Sequence, residues 1–161
     1  YWIEEFANLP CVVEVASEYR YRKVAVPKNT LFLTLSQSGE TADTLAALRM
    51  AKELGYLTTL AICNVPSSTL VRESDLTLLT NAGAEIGVAS TKAFTTQLTA
   101  LLITAIAIAS EKGQLTEEKE SELVASLRSL PAYVDEALKQ VRRFDFKFEQ
   151  DGSKLIHYGN E

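Results

Sequence analysis

Histidine occurs once in the chain, at position 157, and cysteine only twice, at 11 and 63. A lone imidazole with no thiol near it in sequence argues against a zinc site and against a Ser-His-Asp triad. Two cysteines are too few for a disulfide framework. Both lie in apolar segments that read as strands, so free core thiols in a reducing cytosol are the expectation. Basic residues never gather into a long block. The one cluster, Arg20-Tyr21-Arg22-Lys23, is short and interrupted, and the net charge is −5. That balance excludes a broad electrostatic grip on nucleic acid. The cluster reads as a solvated face, with an anion or partner patch as the alternative. Neither G-x-G-x-x-G nor G-K-[ST] occurs, which removes the dinucleotide fingerprint and the Walker loop. The only methionine is Met50, the chain begins at Tyr1, and no basic-then-apolar leader is visible. A piece of a longer protein is expected.

What is present is ordinary for a globular chain: 47% hydrophobic and 23% charged residues over 161 positions. A chain of this length buries about 70% of its unfolded surface, enough for a core without disulfides. Residues 1–8 read as the tail of a helix broken by Pro10, and 11–16 (CVVEVA) as a short strand. Residues 17–23 suggest one helical turn. The run at 30–35 (TLFLTL) has the composition of a strand buried on both faces. Ala42, Leu45, Leu48, Ala51 and Leu54 then recur at helical spacing, with Gly55 as the stop. A second buried-type strand at 57–64, a short helix at 67–73 and a third strand at 76–80 repeat the alternation. Such alternation predicts an α/β fold, a parallel sheet flanked by helices in three layers.

Residues 93–110 form a run without charge, at the lower length limit for a membrane span. Gln97, several threonines and the lack of aromatic belts favour a buried helix instead, packed on the sheet or at a subunit interface. Beyond Gly113 a charged amphipathic helix opens at residues 116–118, and Pro131 is expected to start another that runs to about Phe144. Residues 154–158 (KLIHY) suggest a last strand.

The chemistry is concentrated at 31–44 (LFLTLSQSGETADT). A buried strand runs through a tight turn straight into a helix, and ligands of open parallel sheets collect at such carboxyl ends. The helix start offers unpaired N–H groups to an anion. Ser36, Ser38 and Thr41 add hydroxyls, Gly39 allows close backbone approach, and the Gln37 amide is placed to meet a sugar oxygen. The bland alternative is that Ser38 or Thr41 merely caps the helix. Three hydroxyls and a glycine together favour a neutral phosphate cradle.

A second loop at 81–92 (NAGAEIGVASTK) also joins a strand to a helix. Ser90 and Thr91 are placed to cap that helix, and the loop is expected to reach the same ligand from an adjacent strand. Lys92 invites a Schiff-base role, but a solvated helix-start lysine is the favoured reading. Glu40 and Glu85 are acid–base candidates by location only. Nothing in sequence pairs either with a second titrating group, so a helix-start or loop carboxylate is favoured.

At these two loops the sequence resembles the SIS (sugar isomerase) domain family, and within it the isomerase part of the glutamine–fructose-6-phosphate aminotransferases. The matching stretches are SQSGETADT at 36–44, LAICNVP at 60–66, VRESD at 71–75 and EIGVASTKAFTTQ at 85–97, and the resemblance covers roughly 1–131. The Ser-x-Ser-Gly element alone is shared with aldose–ketose isomerases and with sugar-phosphate-sensing regulators, which stand as alternatives. The long 85–97 match favours the aminotransferases.

The resemblance implies that Ser36, Ser38 and Thr41 hold a sugar phosphate, with Gln37 beside the sugar and Val88 and Ser90 contacting the hexose. It implies fructose 6-phosphate and glucosamine 6-phosphate as ligands and no metal or cofactor; from charge and composition, no nucleic-acid or membrane partner is expected. It implies a cytoplasmic homo-oligomer for the full-length enzyme. Residues 1–131 correspond to a partial first SIS domain, and 132–161 to an inter-domain helix and the possible start of a second. The family's glutaminase domain has no counterpart here, nor do its acid–base glutamate and histidine and its Schiff-base lysine. A segment without turnover of its own is therefore expected. The family's first strand and loop would precede Tyr1, so the missing central strand should leave open sheet edges, with low stability or self-association as the consequence.

Overall fold

The computed structural model describes residues 1–84 and 92–140. Three strands, β1 (Leu31–Ser36), β2 (Thr58–Cys63) and β3 (Leu76–Leu79), form a parallel sheet in that order, flanked by helices. Helices α1 (Trp2–Ala7) and α2 (Ala16–Tyr19) precede the sheet, α3 (Ala42–Leu54) joins β1 to β2, and α4 (Thr69–Glu73) joins β2 to β3. Helices α5 (Lys92–Glu111) and α6 (Glu117–Gln140) follow. The chain divides into two compact units, Tyr1–Val124 and Ala125–Glu161.

Register explains the layers. Phe32 pairs with Thr59, Thr34 with Ala61 and Ser36 with Cys63, so these side chains share one face of the sheet. On that face Ala61 and Cys63 form a core with Leu48 of α3 and Leu70 of α4, all fully buried, and Phe32, Leu45 and Val71 pack around it. Burying each leucine contributes roughly 2 kcal/mol relative to exposure. Ile62 and its partner Leu78 point to the opposite face, where α5 packs against β2 and a groove of about 160 Å³ separates Leu78 and Leu79 from Thr96, Thr99 and Ile103.

Helix α3 follows its sequence signals. Thr41 occupies the N-cap, Asp43 the first turn and Lys52 the last, and Gly55 ends the helix at φ 80°. Helix α1 ends similarly at Asn8, φ 49°, whose N–H donates to the Glu4 carbonyl.

Four expectations are corrected. Residues 11–15 form no strand, because β-branched residues make one only when a neighbour completes the ladder. Val12, Val13 and Val15 are 81%, 89% and 67% exposed, and Cys11 is half-buried rather than a core thiol. Only the middle strand β2 is closely covered on both faces. Leu35 of β1 is 42% exposed and Leu76 of β3 is 55% exposed, because both strands are sheet edges among the described residues. Pro131 does not begin a helix but lies inside α6. It denies the Leu127 carbonyl its usual donor, and the exposed surroundings let water replace it. Finally, β3 pairs with β2 and not β1, so the loop after β3 is one strand removed from the serine loop. Expectations placed on 85–91 and beyond 140, including the strand at 154–158 and His157, lie outside the described residues.

The uncharged run forms α5, a helix long and apolar enough by composition to cross a membrane. Ala93, Ala100, Thr104, Ala105, Ile106 and Ala109 of α5 are buried, and the helix packs against α1 and β2, while Phe94 is 58% and Ile103 46% exposed. Arg20 and Arg22 of the basic cluster are engaged in ion pairs, with Asp43 at 2.6 Å and with Glu14.

Candidate functional site

The loop between β1 and α3 is shaped by its own serines. Ser36, the last residue of β1, is buried, and its Oγ accepts the N–H of Gly39 at 2.9 Å. Ser38 Oγ accepts the N–H of Glu40 at 3.2 Å. In both cases the oxygen is used as an acceptor, and among the described residues neither hydroxyl proton is given to a partner, which leaves it for donation. Gly39 makes the turn at φ 68°, a conformation that disfavours any side chain.

Thr41 follows at the N-cap of α3, exposed and in extended geometry, and its side chain makes no cap bond. The bland reading, in which a loop hydroxyl simply caps α3, therefore does not describe this loop. Gln37 is half-buried, and its backbone carbonyl accepts the Cys63 thiol at 3.8 Å. The structure thus brings Ser36, Gln37, Ser38 and Thr41 together at the carboxyl end of β1, at the start of a 13-residue helix. Val88 and Ser90 lie outside the described residues, as does Glu85.

Glu40 does act on a helix start, although not on the one it precedes. Its Oε1 accepts the N–H of Thr69 at 2.7 Å, at the first residue of α4. That bond, with the Thr69 side chain and then Arg72 adding to it, holds the Glu40 carboxyl below the usual carboxylate range. Lys92 is exposed at the first residue of α5, its ammonium near Gly83.

Two residues that the sequence did not single out organise the neighbouring loops. Ser68 is 2% exposed and caps α4 by accepting the Val71 N–H, while Cys63 Sγ lies 3.6 Å from its Oγ. A serine just before an apolar turn is a legible cap signal. Asn64, just past β2, accepts the Ala82 N–H at 2.8 Å and the Thr80 hydroxyl at 3.2 Å, and donates from Nδ2 to the Gly83 carbonyl at 2.8 Å. It fastens the loop after β3 over the end of β2. No sequence pattern marks that role, because its partners are fixed only by the fold.

The architecture agrees with comparison to known proteins. Residues 1–107 match the SIS domain model. The glutamine–fructose-6-phosphate aminotransferase [isomerizing] of Pseudomonas syringae pv. tomato is 67% identical over 138 residues, covering 86% of this chain and 23% of that protein. The Salmonella paratyphi A enzyme of the same name is 58% identical over 154 residues, covering 96% of this chain and 25% of that protein. Among solved structures, the C-terminal domain of glucosamine-fructose-6-phosphate aminotransferase from Francisella tularensis superimposes with a TM-score of 0.84 at 54% identity, covering 86% of this chain and 39% of that one. The chain thus spans about a quarter of the length of these full-length relatives. It belongs to the SIS domain family, and its likeness within that family is to the SIS portion of glutamine–fructose-6-phosphate aminotransferase.

Proposed function

We propose that this chain is the sugar-phosphate-binding segment of an enzyme that makes glucosamine 6-phosphate from fructose 6-phosphate and glutamine. The phosphate is held by Ser36, Ser38 and Thr41, with Gln37 beside the sugar and Val88 and Ser90 approaching from the loop after β3. The observation that carries this reading is the state of the serines. Their oxygens accept loop N–H groups, which fixes the loop and leaves the hydroxyl protons for a phosphate at the α3 N-terminus.

The segment binds without converting. In this reading residues 1–131 form the SIS part, residues 132–161 lead into a following domain, and the whole enzyme is a cytoplasmic homo-oligomer. Thermal denaturation with glucosamine 6-phosphate tests the binding. Ligand at 100 times its dissociation constant adds about 2.7 kcal/mol, a rise of roughly 5–10 °C for a domain of this size. An unchanged melting temperature at millimolar ligand overturns the reading.

A further inference from the structure

The serine loop is fastened on its far side by α4. Thr69 N–H donates to Glu40 Oε1 at 2.7 Å, and Leu70 N–H donates to the Gly39 carbonyl at 3.0 Å. With Ser68 Oγ accepting the Val71 N–H, the first three donors of α4 are all taken, two of them by the serine loop. These donors would otherwise lack partners at a helix start. Helix α4 is itself anchored, since Leu70 is fully buried in the core.

The trans peptide between Gly39 and Glu40 transmits this anchoring. Its carbonyl and N–H point in opposite directions. With the Gly39 carbonyl turned to Leu70, the Glu40 N–H is turned away from α4, where it meets Ser38 Oγ at 3.2 Å. One face of a single peptide thus grips α4 and the other orients the Ser38 hydroxyl. The placement of Glu40 also answers an electrostatic problem. A carboxylate beside a phosphate site repels the ligand, yet this one is spent on a helix N-terminus, where negative charge is favoured.

We propose that Glu40 is a positioning residue for the sugar-phosphate loop: by capping α4 it fixes the Gly39–Glu40 peptide and, through it, the Ser38 hydroxyl. The inference rests on the sugar-phosphate reading above. What the loop needs from position 40 is an acceptor oxygen, not a negative charge. Glutamine supplies that oxygen and alanine does not.

The test is calorimetric titration of glucosamine 6-phosphate into the 161-residue chain and its Glu40→Gln and Glu40→Ala variants, with melting of each unliganded protein alongside. Glu40→Gln should bind within threefold of the parent or more tightly, and Glu40→Ala about tenfold more weakly, the scale of a lost helix cap. If Glu40→Ala melts lower but binds as the parent does, Glu40 is only structural and the proposal fails. Equal changes in both variants would show that charge alone matters, and would also overturn it. If the parent chain does not bind glucosamine 6-phosphate, the sugar-phosphate reading falls and this inference falls with it.

Discussion

Gly39 lies directly against Ser68: a Cβ built on Gly39 would stand 2.2 Å from Ser68 Oγ and 2.5 Å from Ser68 Cβ, with Cys63 Sγ at 2.9 Å. Ser68 is buried and caps α4, so it has little room to retreat. The glycine of the serine loop is therefore required twice, for its positive φ and for the contact beneath it.

Gly39→Ala should accordingly be among the most damaging small substitutions in the chain. Left-handed backbone costs an alanine about 1–2 kcal/mol, and overpacking adds about 1–3 kcal/mol. Urea denaturation should show a loss of about 2–5 kcal/mol. A loss under 1 kcal/mol would mean that the loop and α4 are not packed as described.

Acid should weaken the fold through its hydrogen-bonded and ion-paired carboxylates. Asp75 Oδ2 accepts the Thr59 hydroxyl at 2.7 Å and the Thr59 N–H at 2.8 Å, and Lys52 stands 3.6 Å from Oδ1. The Thr59 bonds chiefly hold its carboxyl below the ordinary value of 3.8. Glu40 and Glu73 are likewise held below 4.5, Glu40 by Thr69 and Glu73 by Arg49. For depressed carboxylates the unfolded chain binds protons first as pH falls. Their contribution is present in full above the ordinary values and is lost as pH drops through them and on through the lower folded ones. Urea midpoints should be flat from pH 7 to about 5 and fall below about pH 4.5. Asp75→Asn should lower the neutral midpoint and make the acid decline shallower. A decline unchanged in that variant would contradict the assignment.

The sheet edges predict association. Among the described residues β1 is paired on one side only, and Val12 and Val13 are 81% and 89% exposed. Unpaired strand edges and exposed β-branched residues favour contact with a second chain. Sedimentation velocity should show an average mass that rises with concentration, reduced by Val13→Lys. A single monomeric species at all concentrations would count against this.

Much of the fold could be read from local pattern. β1, β2 and β3 announce themselves as short apolar runs between turn residues, and Gly55 marks the end of α3 at the glycine the pattern named. The failures share a cause. Residues 11–15 have strand composition, but a strand is a property of a pair, and composition does not reveal whether a partner is there. Pro131 reads as a helix boundary because the local rule is strong, yet an exposed helix can solvate one orphan carbonyl. At the site, Ser36, Ser38 and Thr41 were legible as a cluster because they are neighbours in sequence. The bond from Thr69 to Glu40 spans 29 positions and the one from Ala82 to Asn64 spans 18, distances over which residue pattern carries no signal.

The most direct measurement is a titration of the chain with glucosamine 6-phosphate, with glucosamine as the unphosphorylated control, repeated on Ser38→Ala. Ser38 is the better probe because Ser36 is buried and its loss would disturb the loop itself. One site is expected, with no detectable binding of glucosamine and an affinity lowered about tenfold or more in Ser38→Ala, the scale of a hydrogen bond to a charged group. Equal binding of glucosamine and its phosphate, or an affinity untouched by Ser38→Ala, would contradict a phosphate site in this loop.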